Sequence, residues 1–174
     1  MEIDFLGVGE AFEPQLGNAS FLLKSQSWLM VDCGYGVPCL LFERGYRPDA
    51  VDAIYLTHFH ADHLFGLPAL LSYWKEEGRR KPLALIGQPG AKQFIERLLE
   101  MGYQGMQAKL CYSLQIIESE SAVTFNEWKL QFAETDHSIK NMAVKIDCHD
   151  SRIGISGDGG LTEASRKLFQ DCHV

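Results

Sequence analysis

The stretch that most constrains the fold is Thr57-His58-Phe59-His60-Ala61-Asp62-His63-Leu64-Phe65-Gly66. Before it, Val51-Asp-Ala-Ile-Tyr-Leu56 ends in apolar, β-prone residues and predicts a buried strand. After it, Leu64, Leu67, Leu70, Leu71 and Trp74 recur at helical spacing and predict a helix from Leu64 to Glu77. Three imidazoles and a carboxylate therefore crowd one short strand-to-helix loop, where successive side chains can converge on a point. Neutral imidazole suits zinc, manganese or iron, and a carboxylate accepts a hard divalent ion. Closed structural zinc sites favour thiolates, whereas open catalytic sites favour His with Asp or Glu. The loop reads as a catalytic metal site.

Other classes are excluded by composition. The formal charge of −7 argues against a broad phosphate-binding face, since duplex binding needs clustered Lys and Arg. Arg79-Arg80-Lys81 is a local basic run and reads as a solvated helix end. Five scattered cysteines, an odd number, read as reduced thiols of a cytoplasmic protein. The N-terminus shows no signal-peptide pattern, and no apolar run approaches the roughly 20 residues of a membrane span. A chain of 174 residues is expected to form one domain, spanning 1–174.

Strands are expected over Glu2–Val8, Phe21–Lys24 and Trp28–Val31, the last two joined by a turn at Ser25-Gln26-Ser27. A helix over Val37–Arg44 stops at Gly45. Lys81–Ile86 reads as a strand, Ala91–Met101 as a helix and Tyr103–Lys109 as a loop over one face. Further strands follow at Leu114–Ile117, Ala122–Phe125 and Trp128–Ala133, with a hairpin of Met142–Cys148 and Arg152–Ser156. A helix over Leu161–Phe169 closes the series. Cys33 reads as a buried strand-end thiol, and His149 as a solvent-facing residue at the hairpin tip. Asp32 is either a plain turn carboxylate or a hydrogen-bond partner that holds a histidine from behind.

His58-x-His60-x-Asp62-His63 after an apolar strand resembles the signature of metallo-β-lactamase-fold hydrolases. Leu29-Met-Val-Asp32-Cys-Gly34, Glu134-Thr-Asp-His137-Ser and Ile155-Ser-Gly-Asp158-Gly-Gly resemble three further segments of that family, in the same order. Gly7-Val8-Gly9 followed by Asn18-Ala-Ser20 is most similar to the ribonuclease Z and phosphodiesterase branch. The resemblance implies an α/β fold, the metallo-β-lactamase αββα sandwich of two mixed sheets faced by helices, here expected without its last strands. It implies that His58, His60 and His137 hold one metal, Asp62 and His63 a second, and that Asp158 bridges them. Zn2+ is the implied metal, with two sites, Mn2+ or Fe being alternatives. The implied activity is phosphodiester hydrolysis through a metal-bound hydroxide; orienting or deprotonating the water is the alternative role of Asp62, one that competes with ligation. Thioester or sulfate-ester hydrolysis, or a metal-binding but impaired domain, are the alternatives.

Two departures shape the expectation. Ribonuclease Z enzymes carry a tRNA-gripping arm between the third histidine and the bridging aspartate, but little more than a hairpin separates His137 from Asp158. A small phosphodiester or short single-stranded substrate is therefore expected rather than folded tRNA. The family also draws a last histidine from beyond the bridging aspartate. Here only His173 follows, in a segment that reads as the start of a strand. Either the chain is a shortened one or the second site is incomplete, and the chain, with an uncovered apolar face, is expected to form a homodimer through its C-terminal part.

Overall fold

The computed structural model describes all residues from Met1 to Val174. Six strands form the first sheet in sequential order: β1 (Glu2–Gly7), β2 (Ser20–Lys24), β3 (Trp28–Val31), β4 (Ala53–Tyr55), β5 (Leu83–Gly87) and β6 (Leu114–Glu118). The pairs β1–β2 and β2–β3 are antiparallel, and from β3 to β6 the strands are parallel. The parallel centre is what Trp28-Leu-Met-Val31, Ala53-Ile-Tyr55 and Leu83-Ala-Leu-Ile-Gly87 require. Such runs, without polar alternation, suit strands covered on both faces. The second sheet holds β7 (Ala122–Phe125), β8 (Trp128–Thr135), β9 (Asn141–Cys148) and β10 (Ser151–Ile155), in order β10-β9-β8-β7 and antiparallel throughout.

The pleat of the first sheet sorts its side chains into two cores. Leu22, Met30, Ile54 and Leu85 pack under the helices α1 (Val37–Glu43), α3 (Leu67–Glu76) and α4 (Ala91–Gly102). Their neighbours Leu23, Leu29, Val31, Tyr55 and Ile86 face the second sheet, where Trp128, Leu130, Phe132, Val144 and Ile146 meet them. On β8 the alternation is plain: Trp128, Leu130 and Phe132 are buried while Lys129 and Gln131 are exposed. A helix from Glu163 to Leu168, α6, packs on the other side of that sheet and completes the αββα layering. Its Thr162 makes a capping box with Ser165, which satisfies the first free amides of the helix.

One polar clasp pins the two sheets together. The Glu127 carboxylate accepts from the Ser27 amide and hydroxyl at 2.8 Å each, and the buried Trp128 indole donates to the same hydroxyl at 2.8 Å.

Several expectations are corrected by packing. The helix expected over Leu64–Glu77 is broken into α2 (Ala61–Leu64) and α3, so the metal-motif loop itself turns into helix at Ala61. The break sits at Gly66, where any Cβ would lie 2.2 Å from the carbonyl oxygen of Gly34. The polar segment Tyr103–Lys109, expected as a loop, contains a short helix, α5 (Met106–Lys109), with Met106 buried in the core. Arg79 is no solvated helix end. It is fully buried, and its guanidinium donates to the carbonyls of Pro48, Val51, Lys81 and Pro82 while lying 5.0 Å from the Trp74 ring and 5.2 Å from the Tyr112 ring.

Candidate metal centre

The site lies where several strands end on one edge of the sandwich. Asp32 follows β3, Thr57 to His63 follow β4, His137 follows β8 and Asp158 follows β10. Asp32 adopts φ +60°, a left-handed conformation that Asp tolerates better than most residues. That turn swings its carboxylate under the neighbouring loop. One oxygen accepts from the Thr57 amide at 2.8 Å, and the other accepts from the Thr57 hydroxyl at 2.8 Å and lies 2.7 Å from His63 Nδ1. Of the two readings of Asp32, the structure selects the histidine-holding one. With Nδ1 engaged, His63 Nε2 points at the open side, 3.2 Å from Asp158 and 3.3 Å from Asp62.

The other imidazoles gather beside it. His58 Nε2 lies 3.1 Å from His60 Nδ1, which is 3.2 Å from His137 Nε2. His58 Nδ1 is held by the Thr57 hydroxyl at 3.0 Å. Ligand atoms of His58, His60 and His137 all fall within 4.8 Å of one another, and so do those of His58, His63 and Asp158. Two donor sets thus adjoin through a shared His58, with Asp62 on the His63 side. This is a chemical fit for divalent ions: neutral imidazole nitrogens on one side, imidazole with carboxylates on the other. Burial and the neighbouring His63, His60 and His137 push His58 down to about 3, which keeps it neutral and free to donate a lone pair. For His63 burial acts downward too, but the Asp32 hydrogen bond and the charges of Asp32, Asp158 and Asp62 outweigh it and raise the ring to about 9.

The glycines around Asp158 are required by close approach. A Cβ on Gly157 would lie 2.4 Å from Asn141 Oδ1, and one on Gly159 would lie 1.9 Å from Thr135 Oγ1. The fully buried Asn141 donates to the Ser156 carbonyl at 2.8 Å and to Thr135 Oγ1 at 2.5 Å. Asp136 and Gly160 exchange backbone hydrogen bonds at 2.9 and 2.8 Å, which ties the His137 turn to the Asp158 turn.

Sequence reasoning missed this support: Thr57, Thr135 and Asn141. Thr57 stands next to His58 in the motif and was findable there; Asn141 carries no local signal.

Residues read as bystanders lie where expected. Cys33 is fully buried, its thiol pushed up by burial and by the charge of Asp32, and it belongs to neither donor set. His149 is exposed at the hairpin tip with φ +52°. His173 runs along β10, its amide donating to the Arg152 carbonyl at 2.9 Å, while the Gly154 amide donates to the Val174 carbonyl at 2.8 Å. It belongs to neither donor set. Between His137 and Asp158 the chain forms only the β9–β10 hairpin.

The layering and the strand-end histidines define the metallo-β-lactamase fold. The chain aligns with human tRNase Z, short form, at a TM-score of 0.82 and 22% identity, covering 99% of this chain and 75% of that one. It aligns with the metallo-β-lactamase-fold protein YhfI from Bacillus subtilis at a TM-score of 0.79 and 18% identity, covering 98% and 68%. Over residues 1–174 the chain belongs to the family described as Anti-Pycsar protein Apyc1. It is also similar to ribonuclease Z of Enterococcus faecalis, with 31% identity over 181 residues, 97% of this chain and 56% of the relative. The chain therefore spans little more than half the length of that relative.

Proposed function

We propose that this chain is a metal-dependent phosphodiesterase acting on small or single-stranded nucleotide substrates. The observation that carries the reading is the pair of adjoining donor sets sharing His58, each with its ligand atoms within 4.8 Å. Zinc is the metal favoured by the imidazole-rich first set, with manganese or iron compatible with the carboxylates of the second. His58, His60 and His137 would hold one ion, Asp62 and His63 the other, with Asp158 between them. A bound metal pair supplies Lewis acidity and activates water for attack on phosphorus.

The protein's own groups do the rest. Asp32 orients His63 through Nδ1, and Thr57 orients His58. Where it does not ligate, the Asp62 carboxylate, 3.3 Å from His63 Nε2, is the group that would orient the attacking water and take up its proton. Its backbone is locked by contact: a Cβ on Gly34 would lie 1.9 Å from the Asp62 carbonyl oxygen. The relative's name, ribonuclease Z, supports phosphodiester chemistry. The hairpin that separates His137 from Asp158, and the acidic charge of −7, favour small substrates over folded tRNA.

The second donor set has a single imidazole beyond the shared His58, and this supports weaker metal binding there. A second copy of the chain is the proposed partner, seated on an apolar groove of about 300 Å³ lined by Phe5, Phe21, Leu23, Ile153 and Ile155 beside His63 and Asp158.

Two measurements test the reading. Metal analysis should find at least one transition metal per chain, lost in His58→Ala/His60→Ala. Hydrolysis of a chromogenic phosphodiester with zinc or manganese should fall by orders of magnitude in Asp62→Ala and stay unchanged in His149→Ala. Turnover of thioester or sulfate-ester substrates in place of phosphodiesters would replace the reading with the alternative hydrolase. Full metal occupancy in the double variant would remove the site.

A further inference from the structure

A second feature beside the metal loop has no role in the chemistry above. Phe59, set between His58 and His60, stacks on Phe94 of α4 with ring centroids 5.0 Å apart and planes 28° from parallel. Both rings are half-buried. Phe94 continues into a surface depression of about 200 Å³ whose other walls are Gly90, Gln93, Arg97 and Met101. These positions follow one face of α4 at three- and four-residue steps, so their side chains are neighbours.

The chemistry of this face is unusual for an acidic chain. Arg97 is exposed and takes part in none of the protein's ion pairs. Met101, one turn on, is 77% exposed. An aromatic ring, a polarisable thioether, an amide and an unpaired guanidinium therefore share one concavity, and Phe59 of the metal-motif loop stacks on the ring of Phe94 that lines it. The loop Gly87–Gly90 that starts α4 is also tied to the His137 turn, because the Gln88 side-chain amide donates to the Lys140 carbonyl at 2.8 Å. The depression is thus held in place relative to the centre by two separate contacts.

We infer that this face of α4 is a nucleotide subsite. Phe94, backed by Phe59, stacks a nucleobase, and Arg97 meets a phosphate of the same nucleotide unit, so that a neighbouring phosphodiester is presented to the metal loop. Aromatic stacking accepts any base, and a guanidinium is suited to bidentate phosphate contact. The inference rests on the phosphodiesterase reading for its substrate class, and Phe94 and Arg97 are positioning residues in it.

Binding of fluorescent ethenoadenosine monophosphate to the metal-free chain, followed by anisotropy, tests it without any turnover. Saturable binding is expected, weakened by roughly five-fold or more in Phe94→Leu, a loss typical of a stacking contact. Phe94→Leu keeps an apolar side chain in the half-buried position. Arg97→Glu alters only an exposed side chain and should weaken binding by at least as much, whereas Lys129→Ala, at the start of β8, should leave it unchanged. No saturable binding by the unaltered chain, or equal affinity in Phe94→Leu and Arg97→Glu, overturns the subsite. Retained binding with no phosphodiester hydrolysis overturns the catalytic reading alone.

Discussion

Asp32 shows how much one side chain can organise. Its left-handed backbone brings a single carboxylate within hydrogen-bond reach of the Thr57 amide, the Thr57 hydroxyl and His63. In the metal-free chain the pair has a definite pH signature. The folded His63 ring is raised to about 9 from 6.5, so the pairing contributes fully below pH 6.5 and is lost as pH rises through about 9. His58 is depressed to about 3 from 6.5, so its contribution has the opposite sense and stability falls as pH drops below 6.5. Urea midpoints of the metal-free chain should therefore peak near pH 6.5 and decline toward pH 9. In Asp32→Asn the decline on the alkaline side should shrink, the charges of Asp158 and Asp62 remaining. An unaltered alkaline limb in that variant would show that Asp32 does not hold His63.

At the scale of elements, the joints rather than the strands hold the unexpected features. Arg79 lies at the end of α3, where composition alone suggests a solvated charge. Instead its guanidinium ties the carbonyls of Val51, just before β4, and Pro82, just before β5, to those of Pro48 and Lys81. Five fixed donors suit four converging acceptors, which three ammonium protons cannot match. Arg79→Met should cost at least about 3 kcal/mol in urea unfolding, because several buried carbonyls lose their donors at roughly 1–3 kcal/mol each. Arg79→Lys should recover only part of that loss. A variant with wild-type stability would mean that water takes over these carbonyls.

For the molecule as a whole, the second sheet is shorter than the first, with four strands against six. A groove of about 300 Å³ lined by residues of β1, β2 and β10 opens beside the candidate metal centre. Phe5 at its rim is 54% exposed. Apolar surface of this kind, next to a functional site, favours association. Light scattering should find a two-fold dimer at tens of micromolar, and Phe5→Glu should shift it to monomer. A monomer for the unaltered chain would exclude the second copy as the occupant of the groove.

How much of this was legible beforehand follows from the range of the interactions. That His58, His60, His63, His137 and Asp158 come together was readable because the loop motif is local and each of the other two residues follows a recognisable strand. Most strands and helices could also be read from periodicity, since burial of one face repeats every two or about 3.6 residues. The amino-acid order alone determined the sandwich class and the chemistry of the donor set. Only the tertiary structure decided that Asp32 holds His63 and that Gly66 breaks the motif helix against Gly34. It alone decided that Asn141 supports the Asp158 turn and that Arg79 is buried. In each case the deciding partner is remote in sequence: 31 residues separate Asp32 from His63 and 28 separate Val51 from Arg79. Periodicity records which face of an element is buried, and packing alone determines which backbone or side chain it meets there.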